Sequence, residues 1–354
     1  MQTGKKPQTI RSSLVLLLTA FIWGIAFVAQ RVGMGYIGPF LFAGLRFWLG
    51  ALSLAVVLFI GGLINRTGSG SRTAGSHPAV VTMDSPSYAA ADRTPDTTIQ
   101  SEASGRPLPL LPIRRLVKPG VVCGCFLFMG GTMQQVGMVY TSASKAGFLT
   151  ALYIVLVPVL GVFIGQKTHW NAWMGVVLAV FGLYFLSITE ALTIMLGDII
   201  VILGAFFWAG HILSIDRFVG DMAERDVLGV CVVQFFFTGS VALVLAPFLD
   251  RFFVETVFSM EALSAAALPI VYAGVMSTGV AFTLQAIGQQ GLPPAAAAII
   301  MSLEAVFSVL GGVVLLGEVL SVREVVGCAL MFIAVIVAQL PLGQHGGRNP
   351  IEQD

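Results

Sequence analysis

Three charged side chains interrupt the long apolar stretches of the sequence: Arg46, Lys145 and Glu304. A charge inside a membrane costs about 3 kcal/mol on insertion scales, so each needs an opposite charge, a water-filled cavity or a route to the membrane surface. A guanidinium can hold a carboxylate through its planar fork of N–H donors, and a carboxyl group removed from water can exchange a proton or bind a cation. These residues are therefore the first candidates for contact with a solute.

Arg46 and Lys145 each have a second, structural interpretation. The two halves of the chain resemble each other, as described below, and the counterpart of Arg46 is near the uncharged Gln234. This difference favours a tie from Arg46 to a neighbouring helix or to a lipid phosphate. Lys145 is predicted in the first turn of a helix near the outer face, where the helix dipole disfavours a cation. Its long side chain could reach the lipid headgroups or take part in an outer gate, and the sequence favours neither.

Glu304 is predicted about three turns into the ninth helix, near the middle of the membrane. It could exchange a proton, bind a cationic solute or pair with Arg46; a structural pair with a basic residue or a helix N-terminus is the alternative. His211 is a second candidate for proton coupling. A lone histidine near the cytoplasmic end of a helix is, however, more often a hydrogen-bonded residue at the interface.

Aromatic and amide side chains are further candidates for lining a cavity. Trp23 and Trp208 occupy equivalent positions in the two halves, and with Tyr153 they could stack on an aromatic or cationic solute. Gln134 and Gln285 are also equivalent and could donate hydrogen bonds into a cavity. Ordinary helix packing explains the three aromatic residues equally well.

No pattern in the sequence indicates a catalytic, metal or nucleotide site. The cysteines lie inside apolar runs, and the pair Cys123 and Cys125 lacks the further ligands that a zinc site needs. The glycine-rich stretch 68–75 lacks the Lys-Ser/Thr pair of a nucleotide-binding loop. We therefore expect no enzyme activity, metal or cofactor, and the net charge of +1 predicts no nucleic-acid partner.

The composition indicates an all-α integral membrane protein. Hydrophobic residues make up 56% of the chain and charged residues only 10%, compared with about 25% charged in soluble domains. Runs of about 20 apolar residues can cross a bilayer as helices. Ten transmembrane helices are predicted, over Ser12–Arg31, Pro39–Leu63, Leu116–Tyr140, Ser142–Gly165, Trp170–Thr189, Leu196–Ile215, Val227–Leu249, Ala262–Gly288, Pro293–Gly317 and Val322–Leu340. The first follows a basic segment like that of a signal peptide, but a second apolar run follows at once, so we interpret it as a retained span.

The distribution of Lys and Arg predicts the orientation of the chain. With the N-terminus in the cytoplasm, only Arg31, Arg251 and Arg323 lie in outer loops. Both termini are therefore expected in the cytoplasm, and the protein in the plasma (inner) membrane. Residues 65–112 are rich in Ser, Thr, Ala, Gly and Pro and are predicted to form a disordered cytoplasmic loop, which we interpret as a spacer rather than a regulatory segment.

An internal repeat relates the two halves of the chain. Phe148–Gln166 has a related copy in Ile300–Glu318, and Phe21-Ile22-Trp23 matches Phe206-Phe207-Trp208. Because five spans per half is an odd number, the second half must enter the membrane with opposite polarity, so the repeats are predicted to be inverted. The predicted division is a tail at 1–11, a first repeat at 12–189, a second at 192–341 and a tail at 342–354.

Four short motifs resemble those of the drug/metabolite transporter superfamily, in its EamA-type branch. They are Phe21-Ile22-Trp23-Gly24, Ala43-Gly44-Leu45-Arg46-Phe47, the segment from Tyr140 to Gly147, and Leu303-Glu304-Ala305-Val306-Phe307 followed by Leu316-Gly317-Glu318. Each motif is weak alone, but their order and spacing extend over nearly the whole chain. The resemblance implies ten helices in two inverted five-helix repeats, a central cavity between them, and peripheral fifth and tenth helices.

The expected function is secondary transport of small organic metabolites, amino-acid-like compounds or drugs by alternating access, with export as the expected direction. The partners would be a small-molecule solute and membrane lipid, and the sequence does not fix the oligomeric state. A membrane enzyme or lipid-handling protein would need clustered polar residues at one interface, and no cluster is found. A scaffold or receptor acting through residues 65–112 is the remaining alternative.

Overall fold

The computed structural model describes residues 5–70, 112–141, 143–187, 195–254, 258–316 and 321–340. These residues form helices and connecting turns, without a strand. Eight segments are long and apolar enough to cross a membrane, and two shorter apolar helices, Trp170–Leu186 and Pro294–Leu310, accompany them within the described residues. The expectation of an all-helical membrane protein is confirmed. The predicted loop is described only at its two ends, and the boundary predicted between the repeats lies outside the described residues.

The helices are numbered below as spans 1 to 10. Spans 1 to 3 are Lys5–Gly33, Pro39–Gly70 and Ile113–Tyr140; span 4 is Ala143–Ala151 with Tyr153–Phe163; spans 5 to 7 are Trp170–Ser187, Leu196–Val219 and Glu224–Leu249; span 8 runs from Ala267 to Gln289; span 9 is Pro294–Met301 with Glu304–Leu316; and span 10 is Val322–Gln339.

Span 8 differs from the sequence-based prediction in two ways. The predicted segment Ala262–Gly288 merges two helices, because a separate short helix, Met260–Ala265, precedes the span. The middle of the span, Tyr272–Phe282, is a π-helix, in which the Thr278 hydroxyl donates to the carbonyl of Ala273 five residues earlier. π-Helical turns are rare in proteins overall, but those that occur are often found at functional sites. Periodicity in the sequence does not reveal them.

Spans 4 and 9 are each interrupted at one level. Span 4 breaks at Leu152, whose N–H bonds to the carbonyl of Leu149. Span 9 breaks at Ser302, whose hydroxyl donates to the carbonyl of Ile299 and so competes with the helical backbone pattern. A second helical segment follows each break. It begins at Tyr153 in span 4 and at Glu304 in span 9.

Equivalent helices of the two halves pack against each other in opposite directions. Span 2 contacts span 7 where Gly44 lies against Leu243 and where Trp48 lies against Gly239. Residue numbers increase along one helix as they decrease along the other, so the two helices are antiparallel. In spans 5 and 10, Gly182 lies against Met331 and Gly175 against Ala338, again with opposite directions. A two-fold axis that relates two antiparallel helices runs perpendicular to them. Repeats related by such an axis have opposite orientations in the membrane and are called inverted repeats.

The remaining packing between helices also occurs in related pairs. The contact of span 3 with span 6 is equivalent to that of span 8 with span 1. In the same way, the contact of span 3 with span 7 is equivalent to that of span 8 with span 2. The contact of span 1 with span 9 is equivalent to that of span 6 with span 4. Spans 5 and 10 pack mainly on each other, so they are peripheral, as the resemblance implies. Large apolar side chains such as Phe59, Phe163 and Val314 are exposed on the outside of the bundle, as expected for a surface that faces lipid.

Candidate functional site

A cavity lies in the centre of the bundle, where spans 1, 2, 3, 4, 6, 8 and 9 meet. About 390 Å³ of space there is not filled by atoms, counting the part that is open to solvent. Its lining is mixed in character, with aromatic, polar and charged side chains: Trp23, Phe27, Gln30, Arg46, Gln134, Thr150, Tyr153, Trp208, Ser277, Phe282 and Glu304. Six residues singled out in the sequence therefore meet at one place: Trp23, Arg46, Gln134, Tyr153, Trp208 and Glu304.

Arg46 brings a buried positive charge to this cavity. Its residue surface is only 2% exposed. Among the described residues its guanidinium makes no hydrogen bond and no ion pair, and its Nε is buried without a partner. The ring of the adjacent Phe47 lies 4.5 Å from the guanidinium carbon. The tie to a neighbouring helix that the sequence favoured is not formed within the described part of the chain, because no hydrogen bond or ion pair joins the guanidinium to another helix there.

Two glycines of span 3 leave room for the side chains around the cavity. A Cβ atom at Gly131 would lie 3.5 Å from Nη2 of Arg46, and one at Gly130 would lie 3.2 Å from the indole ring of Trp208. Larger side chains at these two positions would occupy the space that the guanidinium and the indole now use. The Gly-Gly pair therefore determines how far both groups extend between the helices.

Glu304 faces the same cavity from the opposite repeat. The residue is 6% exposed, and the hydroxyl of Tyr153 donates to its Oε1 at 3.4 Å. Because Glu304 is the first residue of a 13-residue helical segment, the positive end of the helix dipole favours its negative charge. Glu304 and Arg46 do not form an ion pair with each other.

Several polar atoms that line the cavity are buried without a hydrogen-bond partner. They are Oε1 of Gln30, Nε of Arg46, Oγ1 of Thr150 and Nε1 of Trp208. Buried polar groups in folded proteins nearly always have partners, so an exception calls for a functional explanation. Both donors and acceptors are unsatisfied here, so the cavity can accommodate a polar molecule with both kinds of group.

Phe282, at the end of the π-helix, organises an aromatic cluster at one side of the cavity. Its ring stacks on Trp208 with 5.8 Å between centroids and 7° between planes, and it lies 4.7 Å from Trp23. The indole N–H of Trp23 donates to the carbonyl of Ser277 at 3.3 Å. The equivalent tryptophans of the two halves thus contact the same ring from span 8.

His211 lies behind this aromatic cluster and does not line the cavity. Its side chain is fully buried, with Nε2 3.0 Å from Oε1 of Gln234, and its ring meets Trp208 and Phe282 edge-on. Three neighbours, Gln234, Trp208 and Phe282, therefore enclose the imidazole inside the bundle. Gln234, the neutral counterpart of Arg46, bonds to this histidine.

Lys145 is also placed away from the cavity. Its Nζ forms an ion pair with Oδ2 of Asp198, and Thr141 donates to Oδ1 of the same carboxylate at 2.6 Å. The pair connects the beginnings of spans 4 and 6, so Lys145 does not reach toward lipid headgroups.

Gln285 is 1% exposed and lies outside the lining of the cavity, with its Oε1 unpartnered. No group of three metal-binding side chains occurs within the described ranges.

The comparison with known families connects this architecture to one of them. The model of the EamA-like transporter family matches residues 10–76, 103–188 and 195–339. The chain belongs to the EamA-like transporter family.

Two curated relatives of this EamA-like chain agree with that assignment. An "Uncharacterized transporter" from Archaeoglobus fulgidus is 31% identical over 224 residues, which cover 63% of this chain and 69% of the relative. The "Uncharacterized transporter YoaV" of Bacillus subtilis is 23% identical over 283 residues, or 78% of each chain. One solved structure, described as "Crystal structure of protein", is 17% identical and superposes with a TM-score of 0.64 over 93% of this chain and 96% of that one, which supports the fold.

The lining of the EamA-like cavity includes residues that the sequence reasoning did not select. Phe27 and Gln30 follow Trp23 by four and seven positions, and Thr150 precedes Tyr153 by three. Such spacings place side chains on one helical face, so the periodicity around Trp23 and Tyr153 was a usable signal. Phe282 gave no such signal, because its position follows from the π-helix.

Polar contacts between helices occur at both ends of the bundle. At the end that contains Asp198, Arg31 donates to the carbonyl of Met138 at 2.6 Å in addition to the Lys145 pair. At the opposite end, Gln166 donates to Asp216 at 2.8 Å, which connects spans 4 and 6 a second time. A second cavity adjoins Gln166 among spans 4, 5, 9 and 10, with about 770 Å³ not filled by atoms, counting the part that is open to solvent.

Proposed function

We propose that this EamA-like chain is a secondary transporter that exports small organic metabolites across the plasma membrane by alternating access, with both termini in the cytoplasm. Membership in the family and the relatives named as transporters support membrane transport. The proposal about the solute site depends on one observation: the central cavity contains unsatisfied polar atoms on four side chains in the middle of an apolar bundle. A bound solute would provide the missing partners.

The inverted arrangement supplies a physical basis for alternating access. Two similar halves related by an axis across the membrane can exchange their arrangements, which opens the central site first to one side and then to the other. The interrupted spans 4 and 9 meet at Tyr153 and Glu304, so the two halves touch at the breaks. In the proposal, the Lys145–Asp198 and Gln166–Asp216 ties break in alternation, and the cavity beside Gln166 belongs to the cytoplasmic path.

Glu304 is proposed to couple solute movement to protons. Among the described residues, the ionisable groups near it are Tyr153, which donates to it, and Arg46, which lines the same cavity; His211 lies behind Trp208. When neutral, the carboxyl would leave the cavity with the single charge of Arg46; when ionised, it would balance that charge. A proton and a solute that compete for this carboxylate give exchange of one for the other.

Purified protein in sealed vesicles tests the proposal. Vesicles are loaded with a mixture of cellular metabolites, a pH difference is imposed, and the solutes that leave are measured by mass spectrometry. We expect a restricted set of solutes to leave faster than from protein-free vesicles, and Glu304→Gln to remove the dependence on the pH difference. Glu261→Gln, at an exposed position before span 8, is the matched control. Absence of flux for every solute would overturn the proposal.

A further inference from the structure

The cavity beside Gln166 lies at the edge of the bundle, away from the central cavity. It is bounded by the loop between spans 4 and 5, the beginnings of spans 5 and 9, and Ala338 near the end of span 10. Spans 5 and 10 are the peripheral helices of the bundle. The cavity therefore lies next to the surface that faces lipid.

Exposed aromatic side chains mark the level of this cavity in the membrane. Trp170, the first residue of span 5, is 75% exposed, and Phe163, the last residue of span 4, is 83% exposed. Tryptophan is enriched where the apolar core of a bilayer meets the lipid headgroups. The loop between these residues therefore lies at the level of the headgroups. The proposed orientation of the chain places this loop in the cytoplasmic leaflet, whose surface is negatively charged.

The side chains around the cavity favour an anion. Lys167 and His169 line it, and neither Asp nor Glu occurs among the described residues that do so. The carboxylate of Asp216 is connected to the lining through Gln166, which donates to it at 2.8 Å. Basic pockets between transmembrane helices on the cytoplasmic side bind anionic lipid headgroups.

Backbone N–H groups of two helices add to the positive character of the cavity. The first N–H that donates to a backbone carbonyl is that of Ala297 in span 9 and that of Ala172 in span 5. The N–H groups of Ala295, Ala296 and Asn171 precede them, so no carbonyl of their own helix reaches them. All three residues line the cavity. The positive ends of two helix dipoles therefore adjoin the same space.

Asn171 supplies the observation that specifies the headgroup. Its Nδ2 donates to the carbonyls of Ala338 and Leu340 at 2.8 and 2.9 Å, which connects span 5 to the end of span 10. Its Oδ1 is buried without a hydrogen-bond partner. Because this acceptor needs a donor, the bound group should carry a hydroxyl in addition to its phosphate. The glycerol headgroup of phosphatidylglycerol has both.

We propose that the cavity beside Gln166 binds the headgroup of an anionic phospholipid from the cytoplasmic leaflet, with the phosphodiester at Lys167 and the beginning of span 9 and a headgroup hydroxyl at Asn171. This inference rests on the proposed orientation of the chain and does not require that the chain transports a solute. The bound headgroup touches span 9 and the loop after span 4, which belong to different repeats. Since the same cavity is assigned to the cytoplasmic path, the headgroup would have to move aside as that path opens.

Lipid binding to the purified full chain tests the inference. Phosphatidylglycerol or phosphatidylcholine with the same acyl chains is added to the protein in detergent, and bound lipids are counted by native mass spectrometry. The first phosphatidylglycerol should bind about 10-fold more tightly than phosphatidylcholine, as expected from one lysine and two helix ends. Glycerol phosphate and inorganic phosphate are added separately, at the concentration of the lipid, as soluble sources of the same group. Displacement of the lipid by either would overturn its assignment as the occupant, and retention of the lipid supports it.

Two charge variants show whether the lipid binds in this cavity. Lys167→Gln should weaken the binding of phosphatidylglycerol about 5-fold, the contribution of one lysine near anionic lipid, and leave that of phosphatidylcholine unchanged. Arg217→Gln removes an exposed charge at the same end of the bundle, outside the lining, and should change either affinity less than about 2-fold. Thermal unfolding without added lipid checks that both variants are folded. Equal affinity for the two lipids, or an equal loss in the two variants, would overturn the inference and leave the proposed transport function intact.

Discussion

The ion pair between Lys145 and Asp198 should stabilise the protein far more than the pair between Arg11 and Glu224. The carboxylate of Asp198 is 3% exposed and accepts from Lys145, Thr141 and the backbone N–H of Met195. Arg11 and Glu224 lie 2.9 Å apart, but their side chains are 67% and 55% exposed. The molecule therefore contains its own comparison of a buried and an exposed ion pair.

The magnitudes follow from burial. In Asp198→Asn the amide oxygen can still accept from the backbone N–H of Met195, and the amide NH2 can donate to the Thr141 hydroxyl. The loss is therefore the charge-assisted bond to a partly buried lysine, about 1.5–3 kcal/mol. Removing one partner of a fully buried pair costs about 3–5 kcal/mol, and the 23% exposure of Lys145 places this pair below that range. For Glu224→Gln the expected loss is about 0–1 kcal/mol, because water screens the exposed pair.

A double-mutant cycle in detergent measures this difference. The free energy of unfolding is compared for Asp198→Asn, Lys145→Gln and the double variant, and the same three measurements are made for Glu224 and Arg11. We expect a coupling energy above about 1 kcal/mol for the first pair and below about 0.5 kcal/mol for the second. Additive losses at Lys145 and Asp198 would show that the pair does not hold the ends of spans 4 and 6 together.

Three further predictions concern the cap of span 2, the coupling residue and the packing beside it. Asp250→Ala should lower the free energy of unfolding by about 2–4 kcal/mol, because the buried carboxylate accepts from the backbone N–H groups of Phe40 and Leu41 at 2.9 and 2.7 Å. The control Glu261→Ala, measured by the same denaturation, should change the free energy of unfolding by less than about 0.5 kcal/mol. Glu304→Gln should abolish flux driven by a pH difference but retain exchange of solute for solute, and unchanged pH-driven flux would rule out the coupling role. Gly24→Ala should reduce transport, because the added Cβ atom would lie 2.7 Å from Cβ of Phe307 and 2.9 Å from the carbonyl oxygen of Glu304. The control Gly61→Ala should transport as the wild type does, because open space surrounds Gly61.

The helices and their pairing could be predicted from the sequence because both depend on local and repeated patterns. Long apolar runs define the spans, and the match of Trp23 with Trp208 indicates which helices are equivalent. The odd number of spans per half then requires inversion, and the antiparallel contact of Gly44 with Leu243 agrees with it. These inferences required no knowledge of where any side chain points.

The details of the cavity depend on features that a single sequence does not encode locally. The π-helix places Phe282 in contact with two tryptophans, and the interruptions at Leu152 and Ser302 place Tyr153 beside Glu304. The enclosure of His211 by Gln234 and Phe282 was not expected, because its position along the helix was known but its neighbours were not. Arg46 was expected to be tied to a neighbouring helix because its counterpart in the other repeat, Gln234, is uncharged, and within the described chain the guanidinium makes no hydrogen bond or ion pair.

Labelling of a cysteine at position 150 tests the central claim most directly, because Thr150 faces the cavity with an unpartnered hydroxyl. Thr150→Cys is introduced after replacement of the four native cysteines by alanine. Reaction with a small membrane-impermeant thiol reagent is then measured from each side of sealed vesicles. If the cavity is the solute site of an alternating-access carrier, the cysteine reacts from both sides, and the transported solute slows the reaction at both. A reaction from neither side, or one that the solute leaves unchanged, would contradict the account.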